Sequence, residues 1–150
     1  MPGFKVLATN HTSFTVSDLD RSVAFFRDAL GFDVTSKAPR NPDVVSKVTG
    51  IPGTEMIIAY VRGPDHSLEL IQYLGPKEGR GRVSSLPCDV GFAHVAFDVD
   101  DMDAAVATAA EHGVNVIGEI AVIDQGPNTG GRVAYLRDWD GVTVEFIQKP

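Results

Sequence analysis

A single cysteine, Cys88, stands in 150 residues. No disulfide can form within the chain, and a reducing cytoplasm is the simplest compartment to expect. Basic residues are also scarce: 13 Lys and Arg against 20 Asp and Glu give a net charge of −7. Nucleic acid needs a basic face to neutralise its phosphates, and none is evident. The same deficit argues against docking on anionic lipid. No apolar run approaches the ~18 residues of a membrane span. The opening MPGFKVLATNHTS lacks the basic-then-apolar order of a secretory signal. Nucleophile signatures are missing too. No serine sits in a G-x-S-x-G elbow, and nothing near Cys88 would activate its thiol. The glycine-rich GPNTGG at 126–131 lacks the Lys-Ser/Thr of a phosphate loop and precedes a strand, so it reads as a flexible loop. The remainder is 43% hydrophobic and 22% charged, an ordinary globular composition.

What is present is a phrase written twice. NHTSFTVSDLDRSVAFF begins at Asn10 and AHVAFDVDDMDAAVATA at Ala93. Placing His11 on His94 aligns Phe14 with Phe97, Val16 with Val99, Asp18 with Asp101 and Val23 with Val106. HTSFTV and HVAFDV alternate as strands do. Ser17, Asp18, Asp100 and Asp101 are candidate N-caps, and Gly31 and Gly113 sit where a helix ends in a left-handed residue. Leu19, Val23, Phe26 and Leu30 form one apolar stripe. Short strands follow each helix, FDVTS from Phe32 and VNVIG from Val114, and each copy closes on a hairpin turning at Gly63-Pro64-Asp65 or Asp140-Gly141. Each module is therefore strand, helix, then three strands. The first spans residues 8–73, a linker 74–90, and the second 91–150. The segment from Lys37 to Gly53, rich in Pro, Gly, Asn and Asp, is left without an element.

The doubling also repeats chemistry. Each module has a histidine on its first strand and a glutamate inside an apolar final strand: His11 with Glu69, and His94 with Glu145. A buried carboxylate stays ionised only when paired or metal-bound. Two carboxylates and two imidazoles at duplicated positions point to a shared divalent cation, with imidazole suiting Ni, Co, Zn, Fe or Mn. His66, in the GPDHS turn, reads as solvent-exposed. His112 belongs to the last turn of the second helix, where the dipole favours a cation.

These motifs resemble the vicinal-oxygen-chelate superfamily, which includes glyoxalase I, methylmalonyl-CoA epimerase, extradiol dioxygenases and bleomycin- or fosfomycin-resistance proteins. H-x-x-F-x-V-x-D-L-D-x-[SA]-x-x-F-[FY]-x-x-x-L-G-F matches His11–Phe32, G-x-x-H-[VI]-A-F-x-V-D-D matches Gly91–Asp101, and Y-x-R-D-x-D-G-x-x-x-E matches Tyr135–Glu145, with Trp139 replacing the usual proline. The resemblance implies an α+β fold of two tandem βαβββ modules forming a cupped, open mixed β-barrel around one divalent metal. It implies ligands His11, Glu69, His94 and Glu145, a small-molecule substrate with two adjacent oxygens, an enediolate or enolate stabilised by the metal, and a homodimer.

The branch is left open. A His-Glu-His-Glu set resembles bacterial glyoxalase I, whereas the ligand spacing looks more like the epimerase layout. Glu69 lowers the dioxygenase reading. In glyoxalase-type members a metal-bound glutamate shuttles the proton, a role that falls to Glu145. The epimerases carry a further catalytic glutamate, whose nearest counterpart here is Glu55, equally an exposed strand-start residue. Tyr60, Gln72 and Tyr135 are candidates to line the cup, and Asn128 and Arg132 to touch substrate from its bordering loop. The alternative class is a non-catalytic drug- or metabolite-binding protein of the same fold.

Overall fold

The computed structural model describes residues 3–78, 80–83 and 86–150. The chain divides into two units, one of Met1–Arg27 with Gly31–Pro76 and the other of Asp28–Leu30 with Lys77–Pro150. Each carries one mixed sheet whose strands run in linear order without closure.

In the first unit β1 (Thr12–Thr15) leads to α1 (Leu19–Ala24), which is prolonged by a π-helical turn, Phe25–Ala29. Asp18 caps α1 by accepting from the Arg21 N–H at 3.1 Å. Gly31 ends the turn at φ +72°, a conformation that glycine adopts without a Cβ penalty. Then come β2 (Asp33–Pro39), α2 (Pro42–Thr49), β3 (Glu55–Gly63) and β4 (His66–Gly75). The sheet order is β1-β4-β3-β2. β1 runs parallel to β4 and the other pairs are antiparallel.

Strand alternation sorts this sheet into two faces. Ala59, Val61, Leu68 and Leu70 point to one face and are fully buried, along with Leu19 and Val23 of α1. Burying side chains of this size contributes roughly 1.5–3 kcal/mol each, enough to fix which face takes the helix. Tyr60, Glu69, Ile58 and Ile71 point to the opposite face, where register pairs Tyr60 with Glu69 and Ile58 with Ile71.

The helix α2 fills the segment that the sequence leaves without an element. Asn41 caps it by accepting from Asp43 N–H, Pro42 occupies its first turn, and Gly50 stops it at φ +70°. Its Val45 joins Met56 and Ile58 in a buried cluster, against which Tyr60, Ile71 and Tyr73 pack. α2 therefore lies on the face opposite α1.

The second unit repeats the plan: β5 (Val95–Asp98), α3 (Met102–Glu111), β6 (Asn115–Val116), β7 (Ala121–Val122), β8 (Arg132–Arg137) and β9 (Thr143–Gln148). The order is β5-β9-β8-β6, with β7 also pairing with β8. Asp101 caps α3 with the same backbone angles as Asp18, φ −139° and ψ 104°. Met102, Ala109, Val114, Leu136, Val144 and Phe146 are its buried core. VNVIG forms only a two-residue strand, and β7 is an addition beyond the expected three strands. GPNTGG is a tight turn rather than a loose loop. Gly130 N–H donates to Ile123 O at 2.7 Å and Gly131 N–H to Asn128 O at 2.9 Å. A Cβ on Gly131 would lie 2.4 Å from the Gln148 carbonyl oxygen. Among the described residues no helix is long and apolar enough to cross a membrane.

Candidate metal centre

Each unit brings a histidine, a tyrosine and a glutamate to the face opposite its main helix. In the first, Glu69 on β4 stands beside Tyr60 on β3 and Ser13 on β1, and His11 lies two residues before Ser13. In the second, Glu145 on β9 stands beside Tyr135 on β8 and Ala96 on β5, and His94 lies two residues before Ala96. The placement follows from parity: two steps along an extended chain return to the same face.

Both carboxylates are largely withdrawn from water, with side-chain exposures of 13% for Glu69 and 16% for Glu145. Such groups need donors, and the two units supply them differently. The Tyr60 hydroxyl donates to Glu69 Oε2. That bond, burial and the nearby carboxylate charge raise the Tyr60 pKa, and Arg40 partly opposes them. His11 Nε2 stands 3.6 Å from Glu69 Oε1, and its ring meets Tyr60 edge-on with centroids 5.6 Å apart. In the second unit His94 Nε2 is 2.9 Å from Glu145 Oε2. The Tyr135 ring lies 4.8 Å from that of His94, and burial first, then the Glu145 charge, raises the Tyr135 pKa.

His11 has one more partner. Its Nδ1 lies 2.6 Å from Asn10 Oδ1, an acceptor to which Nδ1–H donates, and this bond orients the ring. Asn10 was missing from the sequence-level candidates. Its counterpart in the second module is Ala93, so the repeat gave no signal for it.

One proposed cup-lining residue, Gln72, and one proposed substrate contact, Arg132, stand elsewhere. Gln72 lies three residues from Glu69 and therefore points to the α1 side, where its Oε1 accepts from the Leu19 N–H at 2.8 Å. Arg132 lies three residues from Tyr135 and points to the α3 side, paired with Asp103 through two bonds of 2.8 Å. That pair lowers the Asp103 pKa and raises that of Arg132. Glu55 is exposed at the start of β3, off the parity of Tyr60, as a strand-start residue would be. Asn128 contributes its backbone carbonyl to the Gly131 turn. His66 is not a free turn residue: it opens β4, half-buried, with Nε2 2.9 Å from Thr12 Oγ1. His112 caps the C-terminus of α3, its Nδ1 3.0 Å from Thr108 O.

The profile of the glyoxalase/bleomycin resistance protein/dioxygenase superfamily matches residues 8–146. The chain belongs to this superfamily. It is 33% identical over 157 aligned residues to a 2-epi-5-epi-valiolone epimerase from an Actinomyces species, covering 100% of this chain and 82% of that protein. It is 30% identical over 141 residues to the lactoylglutathione lyase of Haemophilus influenzae, covering 92% and 90%. A glyoxalase family protein from Bacillus cereus superposes with a TM-score of 0.85 at 26% identity, covering 99% of this chain and 98% of that one.

The divalent metal that the sequence leads one to expect can be tested on the donor atoms. Bonds of about 2.0–2.2 Å meeting near a right angle put neighbouring donor atoms roughly 3 Å apart. Within each pair the His–Glu separation, 3.6 Å in the first and 2.9 Å in the second, suits adjacent positions on an ion. The pairs mix imidazole nitrogen with carboxylate oxygen, a combination suited to first-row divalent metals. Among the described residues, no group of three or more His, Cys, Asp or Glu converges on one point, so the donor sets are pairs.

Proposed function

We propose that the protein is a divalent-metal-dependent lyase or isomerase that moves a proton beside a carbonyl, with an epimerase-type reaction favoured. His11 and Glu69 from the first module and His94 and Glu145 from the second are the metal-holding residues of this reading. A divalent ion, when bound, would offset the carboxylate beside it and polarise neighbouring oxygens of a small-molecule substrate. The single observation that carries the proposal is the doubled trio of His, Tyr and Glu, with both carboxylates withdrawn from water. A relative named as an epimerase over the full chain, and another named as a lyase, support the reaction class.

The two glutamates have different work. Glu69 accepts from the Tyr60 hydroxyl and faces His11, so its oxygens are already engaged. Glu145 has His94 as its one side-chain donor among the described residues, which leaves lone pairs for a substrate proton. Glu145 removes the proton from the carbon beside the carbonyl and returns it to the neighbouring carbon, whereas inversion at the same carbon takes its proton from a second donor on the opposite face.

Elemental analysis of the purified protein is expected to find stoichiometric metal, lost in His11→Ala and Glu145→Ala. In D2O the metal-loaded enzyme is expected to incorporate deuterium beside the carbonyl of its substrate, with Glu145→Gln slower by about 10²–10⁴-fold. Hydroxy-ketones or thioesters and glutathione hemithioacetals, offered separately, distinguish the epimerase and lyase branches. Tight metal-free ligand binding with no exchange would favour a sequestering protein instead.

A further inference from the structure

The residues beside the first pair carry a cation that neither the repeat nor the mechanism uses. Arg40 follows the last residue of β2, and its backbone N–H donates to Met56 O at 3.2 Å, so the ladder with β3 continues through it. Parity then fixes its side. Ser36 pairs with Tyr60 and Ala38 with Ile58, both on the face bearing Glu69, and Arg40 is the next even position. Lys37, of opposite parity, reaches Asp20 on the α1 side, which confirms the assignment of faces.

The guanidinium is half-buried and only partly satisfied. Its Nη1 donates to the carbonyls of Ala38 at 3.1 Å and Pro39 at 3.4 Å. The other basic residues of β2 and β3 have carboxylates: Lys37 has Asp20, and Arg62 has Asp33 at 3.6 Å. Arg40 has none among the described residues. It is close enough to Tyr60 to oppose the pKa rise that Glu69 causes there. On its other side lies the cluster of Val45, Met56 and Ile58 with Tyr73. A half-buried guanidinium with no carboxylate partner among the described residues keeps donors for an anion, and its planar fork fits carboxylate and phosphate oxygens.

We propose that Arg40 is a specificity-determining residue that receives an anionic group, carboxylate or phosphate, of the small-molecule substrate, on the sheet face that bears His11 and Glu69. This assignment rests on the proton-transfer reading for the identity of the reacting end, but the anion site itself stands on the geometry of Arg40.

Two measurements test it. In the first, the protein without added metal is titrated with methyl phosphate and, separately, with acetate, following the backbone amide resonances of Met56 and Tyr60 by NMR in the native chain and in each variant. A saturable shift is expected with at least one of them. Arg40→Met should weaken that binding about tenfold or more, Arg40→Lys less, and Arg62→Met not at all. The anion that binds identifies the source. In the second, deuterium exchange by the metal-loaded enzyme is compared for matched pairs: dihydroxyacetone phosphate against dihydroxyacetone, and hydroxypyruvate against hydroxyacetone. Arg40→Met should raise KM for the charged member of one pair and leave its neutral member unchanged. Equal loss for charged and neutral members would mean that Arg40 only buttresses Tyr60, and would overturn the proposal, as would anion binding unaltered in Arg40→Met. An absence of exchange with every compound, alongside anion binding lost in Arg40→Met, would instead retire the proton-transfer reading and leave the anion site standing.

Discussion

Tyr60 and Tyr135 occupy equivalent positions and do unequal work. The Tyr60 hydroxyl donates to a nearly buried carboxylate, whereas Tyr135 meets its histidine ring to ring. Tyr60→Phe leaves Glu69 short of a donor and is expected to cost about 1–3 kcal/mol in urea unfolding, against little for Tyr135→Phe. Equal losses would contradict the asymmetry. Asp138 gives a second residue-scale prediction. Burial raises its pKa to about 6, although the N–H groups of Asp140 and Val142 donate to it. The folded state then holds its proton between about pH 4 and about pH 6, where the unfolded chain has released it. Its contribution to stability is full below that window and lost as pH rises through it. Asp138→Asn keeps an acceptor oxygen, so its stability relative to the native chain should climb from about pH 4 to about pH 6 and then level off. A flat difference would refute the assignment. The pairing of His11 with Glu69 and of His94 with Glu145 was legible because the chain repeats it. Gln72 and Arg132 were misassigned although the information was there: each is an odd number of residues from the tyrosine or glutamate it was grouped with. Arg40 was illegible, since it lies in the one segment without a counterpart in the second copy.

At the scale of elements, the caps read true and the irregular segments did not. Asp18 and Asp101 cap their helices, and Gly31 and Gly113 adopt positive φ, because these roles depend on local chemistry alone. The helix α2 was missed for a physical reason. Val44, Val45, Val48 and Thr49 are poor helix formers, and the flanking Pro and Gly look like loop. The cap at Asn41 and the burial of Val45 outweigh that propensity. The GPNTGG turn shows the reverse error, since glycine there serves close packing rather than mobility. Gly131→Ala would drive a Cβ into the Gln148 carbonyl, at 2.4 Å, and the Asn128 carbonyl, at 3.0 Å. It is expected to destabilise the protein by roughly 1–3 kcal/mol or more. Chemical denaturation checks this, with Gly118→Ala as the control, because nothing lies within 4 Å of a Cβ there.

For the whole molecule, duplication makes architecture readable and specificity obscure. Two copies of one plan declare strand order, helix placement and the shared polar trio. Everything that sets the copies apart falls outside the pattern: α2 and Arg40 in the first, β7 and the Gly131 turn in the second, Asn10 beside one histidine only. One feature common to both copies has a further consequence. Gln72 and Gln148 each accept from the first N–H of their module's helix, at Leu19 and Met102, and each follows its glutamate by three residues. The glutamine thus indexes the last strand along its own axis. A slip of one residue during folding would unplug the helix and turn the carboxylate to the wrong side in the same event. Misalignment is penalised twice over, so the chain carries its own proofreading against a half-built site.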